Sequence, residues 1–67
     1  MIKQSFVAMY LSPLLNAIDH NIVCASYKRE GEIEIVNVVY RNRHTVVVNV
    51  TCDSLAAIVK DVMKVIF

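Results

Sequence analysis

Residues 22–50 read IVCASYKREGEIEIVNVVYRNRHTVVVNV. Three runs rich in β-branched and aromatic residues stand out in this stretch: Ile22 to Lys28, Glu32 to Arg41 and Thr45 to Val50. Such residues suit a pleated, half-buried surface. Arg29-Glu30-Gly31 separates the first pair of runs, and Gly31 can take the positive φ of a tight turn. Arg41-Asn42-Arg43 separates the second pair, with Asn42 the residue best suited to that conformation. Links this short join antiparallel neighbours, so the stretch reads as a three-stranded meander with Glu32–Arg41 in the centre.

The patterning inside the strands is less regular than a one-sided sheet requires. In the central run Ile33 and Ile35 are apolar on one parity, then Val36, Val38 and Tyr40 on the other. Two explanations fit: a bulge near Val36-Asn37, or a sheet covered on both faces. The adjacent pairs Val38-Val39 and Val46-Val47 favour the second.

Downstream, Leu55, Ile58, Val59, Val62, Met63 and Ile66 fall at helical spacing and form one apolar stripe. Lys60 and Lys64 lie on the other face. Thr51 or Asp53 is placed to cap the first turn. Upstream, Ser12-Pro13 has the form of a helix start, Ser as N-cap and Pro at the first helical position. Leu14, Leu15 and Ile18 then give an apolar face. The stretch Phe6 to Leu11 extends that helix with a kink at Pro13, or forms a fourth strand; the helix is the favoured reading. The expected fold is α+β: a three-stranded antiparallel meander with an N-terminal and a C-terminal helix on one face, in a single domain spanning residues 1–67.

Composition bounds the function. A chain of 67 residues buries only about 60% of its unfolded surface, so its fold is marginal without help from a staple or a partner. Yet 57% of its residues are apolar, twelve of them valine, against roughly 45–50% in ordinary globular chains. The formal net charge of +1 lacks the clear basic excess of a general polyanion binder. The opening residues do not read as a signal peptide, so none is expected, and no stretch reaches the roughly 20 apolar residues of a membrane span. A cytoplasmic protein with reduced thiols is expected.

No catalytic or cofactor motif emerges. His20, Cys24, His44 and Cys52 are soft ligands without the spacing of a metal site, so two small core thiols and two surface histidines are expected. Cys52 has no glycine-rich oxyanion loop beside it. Glu30, Glu32 and Glu34 resemble paired carboxylates, but beside a turn they read as a solvated strand end. Cofactor and metal are expected to be absent, and enzymatic activity is not expected.

The element order, helix–three strands–helix, resembles the double-stranded-RNA-binding domain. That family reads phosphates with a lysine cluster at the start of its last helix. Here Thr51-Cys52-Asp53-Ser54 stands in that place, without a lysine. The cations Lys28 and Arg29 lie at one end of the meander, Arg41 and Arg43 at the other. A nucleic-acid-associated regulator would therefore need a basic surface assembled by dimerisation.

The apolar surplus points elsewhere. Two helices cover one face of a three-stranded sheet, which leaves Val39, Val47 and other aliphatics of the same parity facing water. Such a patch marks an interface. Val39, Val47, Val38 and Tyr40 are the candidate interface residues. A homodimer or a larger protein partner is expected, with no membrane role. In size and architecture the chain is similar to phage- or mobile-element-encoded inhibitors, including anti-CRISPR proteins that combine helices with a three-stranded sheet.

Overall fold

A computed structural model describes residues 2–67. The N-terminal helix is built of three consecutive segments: α-helical Ile2–Phe6, π-helical Val7–Leu11 and α-helical Ser12–Ile18. Three strands follow, β1 (Ile22–Glu30), β2 (Ile33–Tyr40) and β3 (Thr45–Asn49), and then a C-terminal helix, Leu55–Ile66. The strands form one antiparallel sheet in the order β1-β2-β3. The α+β architecture expected from the sequence is the one observed.

The upstream stretch is helix, not a fourth strand. Proline donates no N–H, and its ring crowds the carbonyl four residues back. The wider π segment immediately before Pro13 relieves that crowding, with the Ser12 N–H reaching back to the Val7 carbonyl. Ser12 is therefore inside the helix and not its N-cap. Its hydroxyl instead accepts a hydrogen bond from the Ala25 N–H at 2.9 Å. Asn16, one turn on, donates to the Ile22 carbonyl at 2.7 Å. Both bonds cover the first part of the outer edge of β1.

The hairpins differ in their turns. Glu30 pairs with Ile33, leaving Gly31 and Glu32 as a two-residue loop. Gly31 has φ +60 at the first central position, as a type II′ turn demands. In the second loop the residue with positive φ is Arg43, not Asn42. The Asn42 side chain is occupied as an acceptor for the His44 N–H at 2.9 Å, while the Arg43 N–H closes the turn on the Tyr40 carbonyl.

No bulge interrupts β2. The only register shift between β1 and β2 falls between Ile22 and Cys24, where Val23 is extra. β2 alternates regularly: Glu34, Val36 and Val38 face the helices and are buried. Ile33, Ile35, Asn37 and Val39 face the other way. The core joins Val7, Leu11 and Leu15 of the first helix and Ile58 and Val62 of the last to Ala25, Tyr27, Val36, Val38, Val48 and Val50 of the sheet side. Both helices thus lie on one face. Nothing among the described residues covers the second face, contrary to the expectation that both are covered.

The stripe on the C-terminal helix is in the expected phase: Ile58 and Val62 are fully buried, and Leu55, Val59, Met63 and Ile66 pack around them. Its cap is Ser54, whose hydroxyl accepts from the Ala57 N–H at 3.2 Å; the Thr51 hydroxyl is engaged by the Glu34 N–H, and Asp53 does not cap. Ile58→Ala should cost about 2–5 kcal/mol, the range for a buried isoleucine truncated to alanine. Lys60→Ala, on the exposed side, should change stability by less than about 0.5 kcal/mol. Denaturant titration of the two variants checks the helix phase.

Candidate functional site

Two features stand out: a polar cluster inside the fold and an uncovered apolar surface outside it. The cluster centres on Glu34, which is 7% exposed. The sequence reading placed this carboxylate on a solvated strand end with Glu30 and Glu32. Those two are exposed, but Glu34 points under the helices. Lys3 donates to its Oε2 at 2.7 Å, forming an ion pair. The Tyr27 hydroxyl donates to the same oxygen, and the Cys52 N–H donates to Oε1 at 3.1 Å. The Glu34 main-chain N–H donates to the Thr51 hydroxyl at 3.0 Å.

These bonds stabilise the ionised form. The Glu34 carboxyl is held down to about 2 from its ordinary 4.5, chiefly by the Lys3 hydrogen bond, then by Tyr27 and the Cys52 N–H. The Tyr27 phenol is raised above its ordinary value, first by its hydrogen bond to Glu34 and then by burial. Beside the cluster, Asp53 is raised by the neighbouring Asp61 carboxyl and by burial. Its Oδ2 is buried without a hydrogen-bond partner. The sequence did contain a signal for Glu34: it occupies the parity of Val36, Val38 and Tyr40. The cluster ties three parts of the chain to one carboxylate.

The uncovered face presents Cys24, Ser26 and Lys28 of β1, Ile33, Ile35, Asn37 and Val39 of β2, and Thr45, Val47 and Asn49 of β3. Register pairs Cys24 with Val39, Lys28 with Ile35 and Asn37 with Val47. Ile33 is 58% and Val47 57% exposed, while Ile35 and Val39 are half-buried among their sheet neighbours. Val39 and Val47 therefore lie where the sequence placed them, on the side away from the helices. Val38 and Tyr40 do not. Val38 is fully buried under the helices, and Tyr40 packs half-buried against the core. Parity explains the correction: residues next to Val39 must point to the opposite face. A second apolar surface lies on the helix side, an open groove of about 600 Å³ lined by Ile2, Ser5, Phe6, Met9, Tyr10 and Leu55.

The four candidate nucleic-acid residues are not brought together. Lys28 pairs with Ile35 in register, and Arg41 lies six residues further along that strand direction, roughly 20 Å at 3.4 Å per residue. Lys28 also pairs with Glu30 at 3.4 Å. Arg29 donates to the Gly31 carbonyl and Arg41 to the His20 carbonyl. Cys24 and Cys52 are free thiols, both exposed, where core thiols were expected. Among the described residues no group of three His, Cys, Asp or Glu side chains could hold a metal ion. No described helix is long and apolar enough to cross a membrane. No protein-family model, no curated protein and no solved structure matches this chain.

The cluster has two measurable consequences. Glu34 is an acid with a lowered pKa in the folded state. Its stabilisation is complete above about pH 4.5 and is lost as the pH falls toward about 2. Glu34→Gln should lower the urea midpoint at pH 7 and flatten its decline across that window; an unchanged decline would remove Glu34 as its source. Cys52 sits at φ +63, a left-handed conformation that aims its N–H at Glu34. Cys52→Gly should relieve this strain, raising stability by about 0.5–1 kcal/mol, whereas Cys52→Ala should not. Thermal unfolding of the pair distinguishes them.

Proposed function

We propose that this chain is a non-enzymatic protein-interaction module that self-associates through the side of its sheet that the helices leave open. The observation that supports the reading is Val47, 57% exposed on the outermost strand. It is joined on the same face by Ile33, Ile35 and Val39. Leaving such a side chain in water costs on the order of 1.5–3 kcal/mol relative to burying it. In a 67-residue chain that sum is comparable to the whole stability of the fold. A second subunit removes the cost and stabilises the fold together.

This reading fits the near-neutral charge and the scatter of the cations, which leave a single protomer without one basic surface. Sedimentation at micromolar concentration should give twice the chain mass of 7.6 kDa. Val47→Lys should return the mass to that of a single chain. A wild-type monomer, with a Val47→Lys variant unchanged in mass and stability, would overturn self-association. Salt-sensitive retention of the wild type on nucleic acid would favour a nucleic-acid-associated regulator instead.

A further inference from the structure

Asp53 carries a polar atom that the fold removes from water without a donor in exchange. Its Oδ2 is buried and has no hydrogen-bond partner, a state that costs an ionised carboxylate more than a neutral group. The residue lies in the turn between β3 and the C-terminal helix, where its main-chain N–H closes on the Val50 carbonyl at 3.0 Å. Three charged side chains face its carboxyl, each from a different element. Lys3 of the first helix is committed to Glu34 at 2.7 Å and makes no ion pair with Asp53. Glu34 of β2 is itself an acceptor, filled by Lys3, Tyr27 and Cys52. Asp61, in the second turn of the C-terminal helix, is half-buried like Asp53 and stands within hydrogen-bonding reach of it. Two ionised carboxylates have no hydrogen to offer each other. No group of three His, Cys, Asp or Glu side chains among the described residues could hold a metal ion there. A proton is the donor that fits.

We propose that Asp53 and Asp61 hold one proton between them in the folded protein, as a carboxylic acid–carboxylate pair that ties the turn after β3 to the C-terminal helix and opens as the pH rises. The proposal is independent of self-association. One carboxyl donates and the other accepts, which supplies the partner that the buried Oδ2 lacks. Two carboxyls held this close do not both ionise readily, and they lose their protons in two steps that belong to the pair. When the shared proton leaves for solvent, two negative charges face each other beside the ionised Glu34. The stabilisation from the pair is therefore present at low pH and is lost as the pH rises through the upper step, above the ordinary aspartate value of 3.8. Glu34 acts in the opposite sense, losing its stabilisation as the pH falls toward about 2. Together they give the stability a maximum between the two windows. The turn released at higher pH is the one that holds the Cys52 N–H on Glu34 and the Ser54 cap on the last helix.

Carbon-13 NMR of the side-chain carboxyls, followed from strongly acid to neutral pH, reads the proton directly, and Glu34 has its own signal. In the wild type the Asp53 and Asp61 carbons should move together in two steps, the upper one above the ordinary aspartate range. Asp61→Asn places an amide N–H where the proton was. The upper step should vanish, leaving Asp53 with a single step. The urea midpoint of the wild type should fall as the pH rises through the upper step. That of Asp61→Asn should stay level there and exceed the wild type at neutral pH. Should Asp61→Asn fail to fold, Asp53→Asn makes the reciprocal test, and the wild-type titration decides without either. Independent single steps at the ordinary value in the wild type, or an upper step at Asp53 that persists in Asp61→Asn, overturn the shared proton.

Discussion

The register of this fold depends on a single carboxylate. β2 has aliphatic residues on both parities: Ile33, Ile35 and Val39 on one, Val36 and Val38 on the other. A slip of one residue turns every side chain of a strand over, and here hydrophobicity alone would oppose it only weakly. Glu34 removes the ambiguity. On the inner face it meets the Lys3 ammonium, the Tyr27 hydroxyl and the Cys52 N–H. Turned outward, it would leave those three without their common acceptor and would place Ile33, Ile35 and Asn37 under the helices. The ion pair need not add much net stability, since removing charges from water offsets their attraction. Its contribution is specificity, because it joins the start of the first helix, the β1 edge and the turn before the last helix at one point.

That anchor also explains the irregular turn between β3 and the C-terminal helix. Thr51 and Asp53 both look like capping residues, yet neither caps. The Thr51 hydroxyl receives the Glu34 main-chain N–H, and Cys52 takes a left-handed conformation so that its own N–H reaches the carboxylate. The cap passes to Ser54, the next residue with a suitable side chain. Local preference yields to Glu34 because a buried charged acceptor costs more to leave unsatisfied than a neutral one.

Much of the architecture was legible because it rests on periodicity and turn chemistry. Leu55 to Ile66 declared both its type and its phase, and Gly31 marked the first hairpin. What was hidden rests on long-range contacts between residues far apart in sequence. Lys3 and Glu34 are separated by 31 residues, and no local pattern announces their pairing. Glu34 was read as solvated because carboxylates are seldom buried; the phase change in β2 was the trace it left. Ser12 was misassigned for a related reason. Its position before Pro13 has the form of a cap, but the competing demand of the Ala25 N–H lies on another element. Val38 and Tyr40 were grouped with Val39 by adjacency, although strand geometry separates neighbours to opposite faces. Val39 and Val47 were placed on the open side because parity alone decides that.

The inner cluster and the outer surface are two sides of the same choice. A strand with aliphatic side chains on both parities, under helices that cover one face, must leave one set outside. By fixing Glu34 inward, the cluster selects Ile33, Ile35 and Val39 as the set that faces away from the core. The same register fixes which main-chain groups of β3 bond to β2 and which point outward, because each strand alternates in step with its neighbour. Ser12 and Asn16 cover the first part of the β1 edge from the first helix, while no such cover of β3 occurs among the described residues. The exposed aliphatic face and the outer edge of the sheet therefore meet at Val47.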